Sequence, residues 1–145
     1  MRKGILKALA LIVISALLFG CQFNENLSTK SANDHKLSID SDFKSVSISK
    51  PKGFNEITFD DKESLKAFQD IFSSTVKEPG IVDMADPEFY LEVNSDKENQ
   101  QSLYVWIGEI GQRSTFMKTE DTHTIYTVSE EKTDHLIEIV QLLIK

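Results

Sequence analysis

Cysteine is almost missing from this chain: Cys21 is the only one in 145 residues. No intramolecular disulfide can form, and the sequence shows no zinc-type Cys/His cluster. Histidine is nearly as scarce, with only His35, His123 and His135. There is no His-Glu-x-x-His spacing, no Gly-x-Ser-x-Gly elbow and no glycine-rich phosphate loop. Those absences remove the sequence signatures of the zincin, serine-hydrolase and P-loop chemistries, and no cofactor is implied. Positive charge is short as well, since 16 Lys+Arg face 23 Asp+Glu for a formal charge of −7. Nucleic acid and anionic lipid headgroups are bound through basic patches, so neither is expected as a partner. Cations, basic peptides or uncharged partners are compatible with that balance.

Long apolar runs are also lacking, with one exception at the N-terminus. Arg2, Lys3 and Lys7 form a cationic start, and residues 8–20 are almost wholly apolar, with Ser15 the one polar side chain. The run is shorter than the ~20 residues needed to cross a bilayer, so it reads as a removable signal peptide over 1–20. Leu18-Phe19-Gly20-Cys21 resembles a lipobox, in which the cysteine after a small residue is diacylated; Phe19 departs from the small residue more usual there. The competing reading is an ordinary secretory signal followed by an incidental cysteine. Acylation at Cys21 would remove a free thiol and, with two acyl chains, hold the chain stably on a membrane. Cleavage before Cys21 removes three of the cations and none of the carboxylates, moving the formal charge from −7 to −10.

Residues 22–42 are mostly Asn, Ser, Asp, Lys and Thr, which cannot bury enough apolar surface to offset ordering entropy; with Cys21 they read as an acylated, flexible tether over 21–42. The folded domain is expected over 43–145. Alternation over 44–49 predicts a strand and 57–59 a second; Asp60, with Glu63 three residues on, forms a capping-box pattern for a helix over 61–73. Pro79, Gly80, Asp86 and Pro87 mark a long loop carrying Ile81, Val82 and Met84. Strands follow at 88–93, 102–108, 113–118 and 124–128, the middle two joined by a hairpin bracketed by Gly108 and Gly111. Ser129 caps a final helix whose stripe is Leu136, Ile137, Val140, Leu143 and Ile144. The order β-β-α-β-β-β-β-α predicts an α+β domain, an antiparallel sheet of about five to six strands with both helices on one face.

Two groups of residues are candidates for chemistry or contact. Asp121 and His123 stand two apart at a strand start, and Asp83 and Asp86 sit in the long loop. If the four converged they would make a cation site or an acid–base pair; otherwise they are turn and strand-start residues. Tyr90, Tyr104 and Trp106 alternate against the apolar residues of their strands, and Tyr126 is placed with them as a possible aromatic face for a ligand or protein. The alternative is that these rings only pair across strands, or that the long loop packs over them.

Three stretches, Pro79–Asp83 with Asp86-Pro87, residues 103–108 and residues 121–127, resemble the small YhfM-like lipoproteins of Bacillus-type Gram-positive bacteria. The resemblance spans 43 to the C-terminus. It implies a compact domain on the outer face of the cell membrane and supplies no site residues and no mechanism. The function expected is therefore a lipid-anchored, extracytoplasmic, non-enzymatic binding module for an unknown protein or small ligand, attached to the membrane through a diacylglyceryl (palmitate-type) cysteine. A cation-dependent enzyme or metal-binding domain using Asp83, Asp86, Asp121 and His123 is the alternative.

Overall fold

The alternating pattern of the first strand is where the ordered sheet begins. A computed structural model describes residues 35–80, 83–96 and 99–144, with the side chains of 142–144 excepted. The expected signal peptide, Cys21 and most of the tether, together with Ile81 and Val82, lie outside the described residues. Strand β1 (Ser45–Lys50) alternates Val46 and Ile48, both fully buried, with serines, and a short 3-10 turn (Pro51–Gly53) leads to β2 (Phe54–Phe59). Opposite β1, the pairing step from Ile57 to Phe54 spans one more residue than the step from Ile48 to Lys50, so β2 carries a bulge at Asn55, whose φ is 55°. Helix α1 (Lys62–Ser73) begins at Asp61, whose carboxylate accepts the backbone N–H groups of Glu63 and Ser64 at 3.1 and 2.9 Å. The cap is therefore one residue later than the Asp60 spacing predicts, because Glu63 falls inside the first turn rather than at its end.

After α1 come β3 (Val76–Lys77), β4 (Phe89–Asn94), β5 (Gln100–Trp106), β6 (Thr115–Lys118), β7 (Asp121–Thr127) and α2 (Glu130–Ile144). Among the described residues the strands form one antiparallel sheet in the order β2-β1-β4-β5-β6-β7-β3. That is seven strands where five to six are expected. The addition is β3, a two-residue strand paired through Val76 and Lys77 to Thr127 and Tyr126, too short to show any period. Two strands also start earlier than expected: β5 takes in Gln100 and Gln101, and β7 takes in Asp121 to His123, polar residues that alternation alone assigns to turns.

One face of this sheet holds the core. Val46, Ile48, Leu91, Val93, Leu103, Val105 and Phe116 lie opposite one another across β1, β4, β5 and β6, and all are fully buried. Phe68, Ile71 and Phe72 of α1 and Leu136 and Val140 of α2 join the same cluster, so both helices cover this face. Phe68 meets Phe59 of β2 at 5.4 Å, and Phe72 meets Phe116 of β6 at 6.1 Å, so α1 spans the sheet from its β2 edge. Each such ring taken out of water stabilises the fold by about 1.5–3 kcal/mol.

The last part of the expected tether is not free. Leu37 is 4% exposed and its N–H donates to Thr75 Oγ1 at 2.9 Å, while Phe43 packs edge-on against Phe72 at 5.9 Å. The Gln101 amide clasps this segment from both sides, accepting from Asp40 N–H and donating to the Ser38 carbonyl. Residues 35–42 are therefore a strap along the core rather than linker; a composition too polar to fold alone is held here by two apolar anchors, Leu37 and Ile39, and several backbone bonds.

Candidate functional site

The face of the sheet opposite the helices is built by strand register. Ser49, Tyr90, Tyr104, Met117 and Ile125 form one cross-strand row over five strands. A second row runs Thr58, Ser47, Glu92 and Ser102, and a third Trp106, Thr115, Thr127 and Val76. The Tyr90 and Tyr104 rings meet edge to face at 5.3 Å, the arrangement that ring quadrupoles favour, and both are half-buried. Trp106 is held differently: its indole N–H donates to the Ala85 and Asp86 carbonyls at 3.2 and 3.1 Å. The long loop thus lies against the Trp106 end of the face.

Both ends of that loop are pinned to the sheet by glutamates outside the four polar candidates. The Glu78 carboxylate accepts from Thr127 Oγ1 at 2.5 Å and from Arg113 at 3.4 Å, and its N–H donates to the Ile125 carbonyl. Glu88 donates its N–H to the Val105 carbonyl and accepts the Ile107 N–H at 3.0 Å. Nothing in a local window marks either residue, since their side-chain partners lie 19 to 49 positions away.

Tyr126 does not belong to the aromatic face. It pairs with Phe116 and packs against the core cluster, so it points to the helix-covered side. The reason is alternation: Ile125 and Thr127 take the helix-free face, where both are nevertheless buried, as Met117 is beside them, and a residue between them must take the other.

The four polar candidates are dispersed. Asp86 touches Trp106, which stands opposite Thr115 and, through it, Thr127 at the end of β7. Asp121 is at the beginning of β7, paired with Lys118. At ~3.3 Å per residue the two ends of β7 are roughly 20 Å apart. Asp83, Asp86, Asp121 and His123 are all exposed, and among the described residues no three His, Cys, Asp or Glu side chains are grouped as a metal ion would require. The Asp121 carboxyl is held below the ordinary carboxylate range by a hydrogen bond from the Thr124 side chain and then by the His123 N–H, which makes it a local strand-start device. The convergence that a cation site or acid–base pair needs is not present.

Cavities lined by described residues are found around the strap and at the Ser95 end of the sheet. One of about 410 Å³ is lined by Phe43, Leu65, Lys62, Lys66, Asp60 and Gln69, and one of about 140 Å³ lies between the strap and Phe72. Two more, of about 450 and 460 Å³, flank Ser95 and Gln100 at the far end of the sheet, and the second is lined mainly by amides, hydroxyls and carboxylates. None of these four is lined by Tyr90, Tyr104 or Trp106.

Among the described residues no helix is long and apolar enough to cross a membrane. A solved structure of a thioesterase-like protein from Clostridium sporogenes ATCC 15579 is similar in fold, with 19% identity and a TM-score of 0.51, over 67% of this chain and 93% of that one. No curated protein matches. The family model described as YhfM protein matches residues 39–143, beginning inside the strap and running through α2, and the chain belongs to that family.

Proposed function

We propose that this chain is a non-enzymatic contact module, held at the outer face of the cell membrane by a diacylglyceryl group on Cys21, that meets a protein or small ligand through the helix-free face of its sheet. The observation that carries the contact surface is the Tyr90–Tyr104 pair, two half-buried rings set edge to face where neither helix packs. Aromatic residues give large contact area at low side-chain entropy cost and are enriched where proteins meet partners. The anchor rests on the cationic start, the short apolar run and the Gly20-Cys21 junction. Two acyl chains at that cysteine would suffice to hold the domain without a spanning helix.

A cation-dependent enzyme has less support, because its four residues are spread along the length of the sheet. The name of the similar solved structure points to thioester chemistry for that protein; a likeness at 19% identity supports the shape alone, and no catalytic step is carried over.

Cells fed an alkyne-bearing fatty acid should label the wild-type chain and leave Cys21→Ser unlabelled; label retained in Cys21→Ser would remove the anchor. Tyrosine-directed nitration tests the face, with Tyr126 on the opposite side as internal reference. Tyr90 and Tyr104 should be protected on intact cells relative to the purified chain, and equal modification in both settings would overturn the contact surface.

A further inference from the structure

We infer that the partner met by this face is a lysine- or arginine-bearing polypeptide segment, with a cationic side chain seated between the Tyr90–Tyr104 rings and the Glu92 carboxylate. The inference rests on the contact-surface reading above and adds the chemistry of what is bound.

Glu92 is on β4 two positions after Tyr90, so the two share a face about 7 Å apart along the strand. Tyr104, opposite Tyr90, is then the diagonal neighbour of Glu92, within reach of a long side chain laid between the strands. Glu92 is exposed and, among the described residues, makes no ion pair. Glu56, beside Ile57 on β2, is a further exposed carboxylate on this face, and the Glu78–Arg113 pair lies at its Thr127 end, away from Glu92.

The lysines of the strands fall on the other side. Lys118 is opposite Leu103 and Lys77 opposite Tyr126, both on the helix-covered face, and Lys50 follows Ser49 and turns away from the rings by alternation. The open face therefore combines carboxylates with the electron-rich faces of tyrosine rings, and both attract cations. Hydroxyls complete the surround. Ser49 lies in the tyrosine row and Ser102 in the glutamate row, both partly exposed, giving neutral donors and acceptors suited to a polypeptide backbone. A polyanion or an acidic lipid surface would meet like charge here, and the acidic balance of the whole chain would steer a basic segment inward.

The test uses the acylated full chain in neutral detergent micelles and a fluorescent octalysine peptide, read by anisotropy. Saturable binding that weakens with salt is expected, and Glu92→Gln should weaken it about threefold, in the range of a single partly exposed charge pair. Tyr104→Leu should weaken it about threefold while Tyr104→Phe retains it, because the ring face rather than the hydroxyl meets the cation. Glu63→Gln, which removes the same charge from α1, should leave binding nearly unchanged. Absence of saturable binding overturns the inference. So does a Glu63→Gln effect equal to that of Glu92→Gln, which would mean attraction by net charge, or full binding by Tyr104→Leu. Should Tyr104→Leu fail to fold, the exposed Glu92→Gln against Glu63→Gln comparison decides alone. If Tyr90 and Tyr104 are protected on cells while octalysine does not bind, the contact surface stands and the basic partner falls.

Discussion

Ser114 and Thr133 illustrate how much a single buried polar contact carries. Both are fully buried; Ser114 N–H donates to Thr133 Oγ1 at 2.7 Å, and Ser114 Oγ donates to the Ile107 carbonyl at 2.5 Å. Thr133→Val keeps the shape and leaves a buried N–H without an acceptor, so it should cost about 1–3 kcal/mol in urea unfolding with an unchanged m-value, whereas Thr133→Ser should cost less. Asp70 and Lys132 make the opposite case, an ion pair joining α1 to α2 near the surface. The Lys132 ammonium holds the Asp70 carboxyl below its ordinary range, and Asp70 raises Lys132 in return. A depressed carboxyl stabilises the fold above its unfolded value near 3.8 and stops doing so as pH falls through the lower folded value. The raised lysine contributes below 10.5 and is lost as pH climbs through its higher folded value. Asp70→Asn should therefore be slightly less stable than wild type at neutral pH and match it once the pH is below the folded carboxyl value. Solvent screening keeps the difference small, and chemical unfolding across pH measures it.

At the scale of elements, the caps and the strap separate what local sequence shows from what it hides. Ser129 and the apolar stripes of both helices are legible because the groups involved lie within a turn of each other, and the cap of α1 is legible to within one residue, Asp61 in place of Asp60. The strap is not, since its partners are 38 to 63 residues away in Thr75 and Gln101. Leu37→Ala should destabilise the domain by about 2–3 kcal/mol, and a chain begun at residue 43 should melt lower than one begun at 35. Equal melting points would show that the strap is dispensable. The turn between β5 and β6 makes a further comparison. Gly108 and Gly111 both have positive φ, of 77° and 79°, but a Cβ at Gly108 would stand 3.3 Å from the Arg113 carbonyl, whereas one at Gly111 meets nothing within 4 Å. Gly108→Ala should cost more stability than Gly111→Ala in parallel thermal melts.

For the whole molecule, the acidic balance and the two-sided sheet have to be read together. Like-charge repulsion opposes compaction, so modest salt should raise the melting temperature of the domain; a fall would place the net electrostatic term on the side of its ion pairs. By itself the sequence determined the α+β class, the two amphipathic helices, most strands and the alternation that sets Tyr90, Tyr104 and Trp106 on one face. Those features depend on period and on neighbours a few residues apart. Only the tertiary structure decided that Tyr126 faces the core, that Asp83, Asp86, Asp121 and His123 stay apart, that β3 and the strap close the fold, and that Tyr104 stands diagonal to Glu92. Each is a matter of register between distant strands, where a shift of one residue exchanges the two faces, and nothing within a single segment encodes that choice.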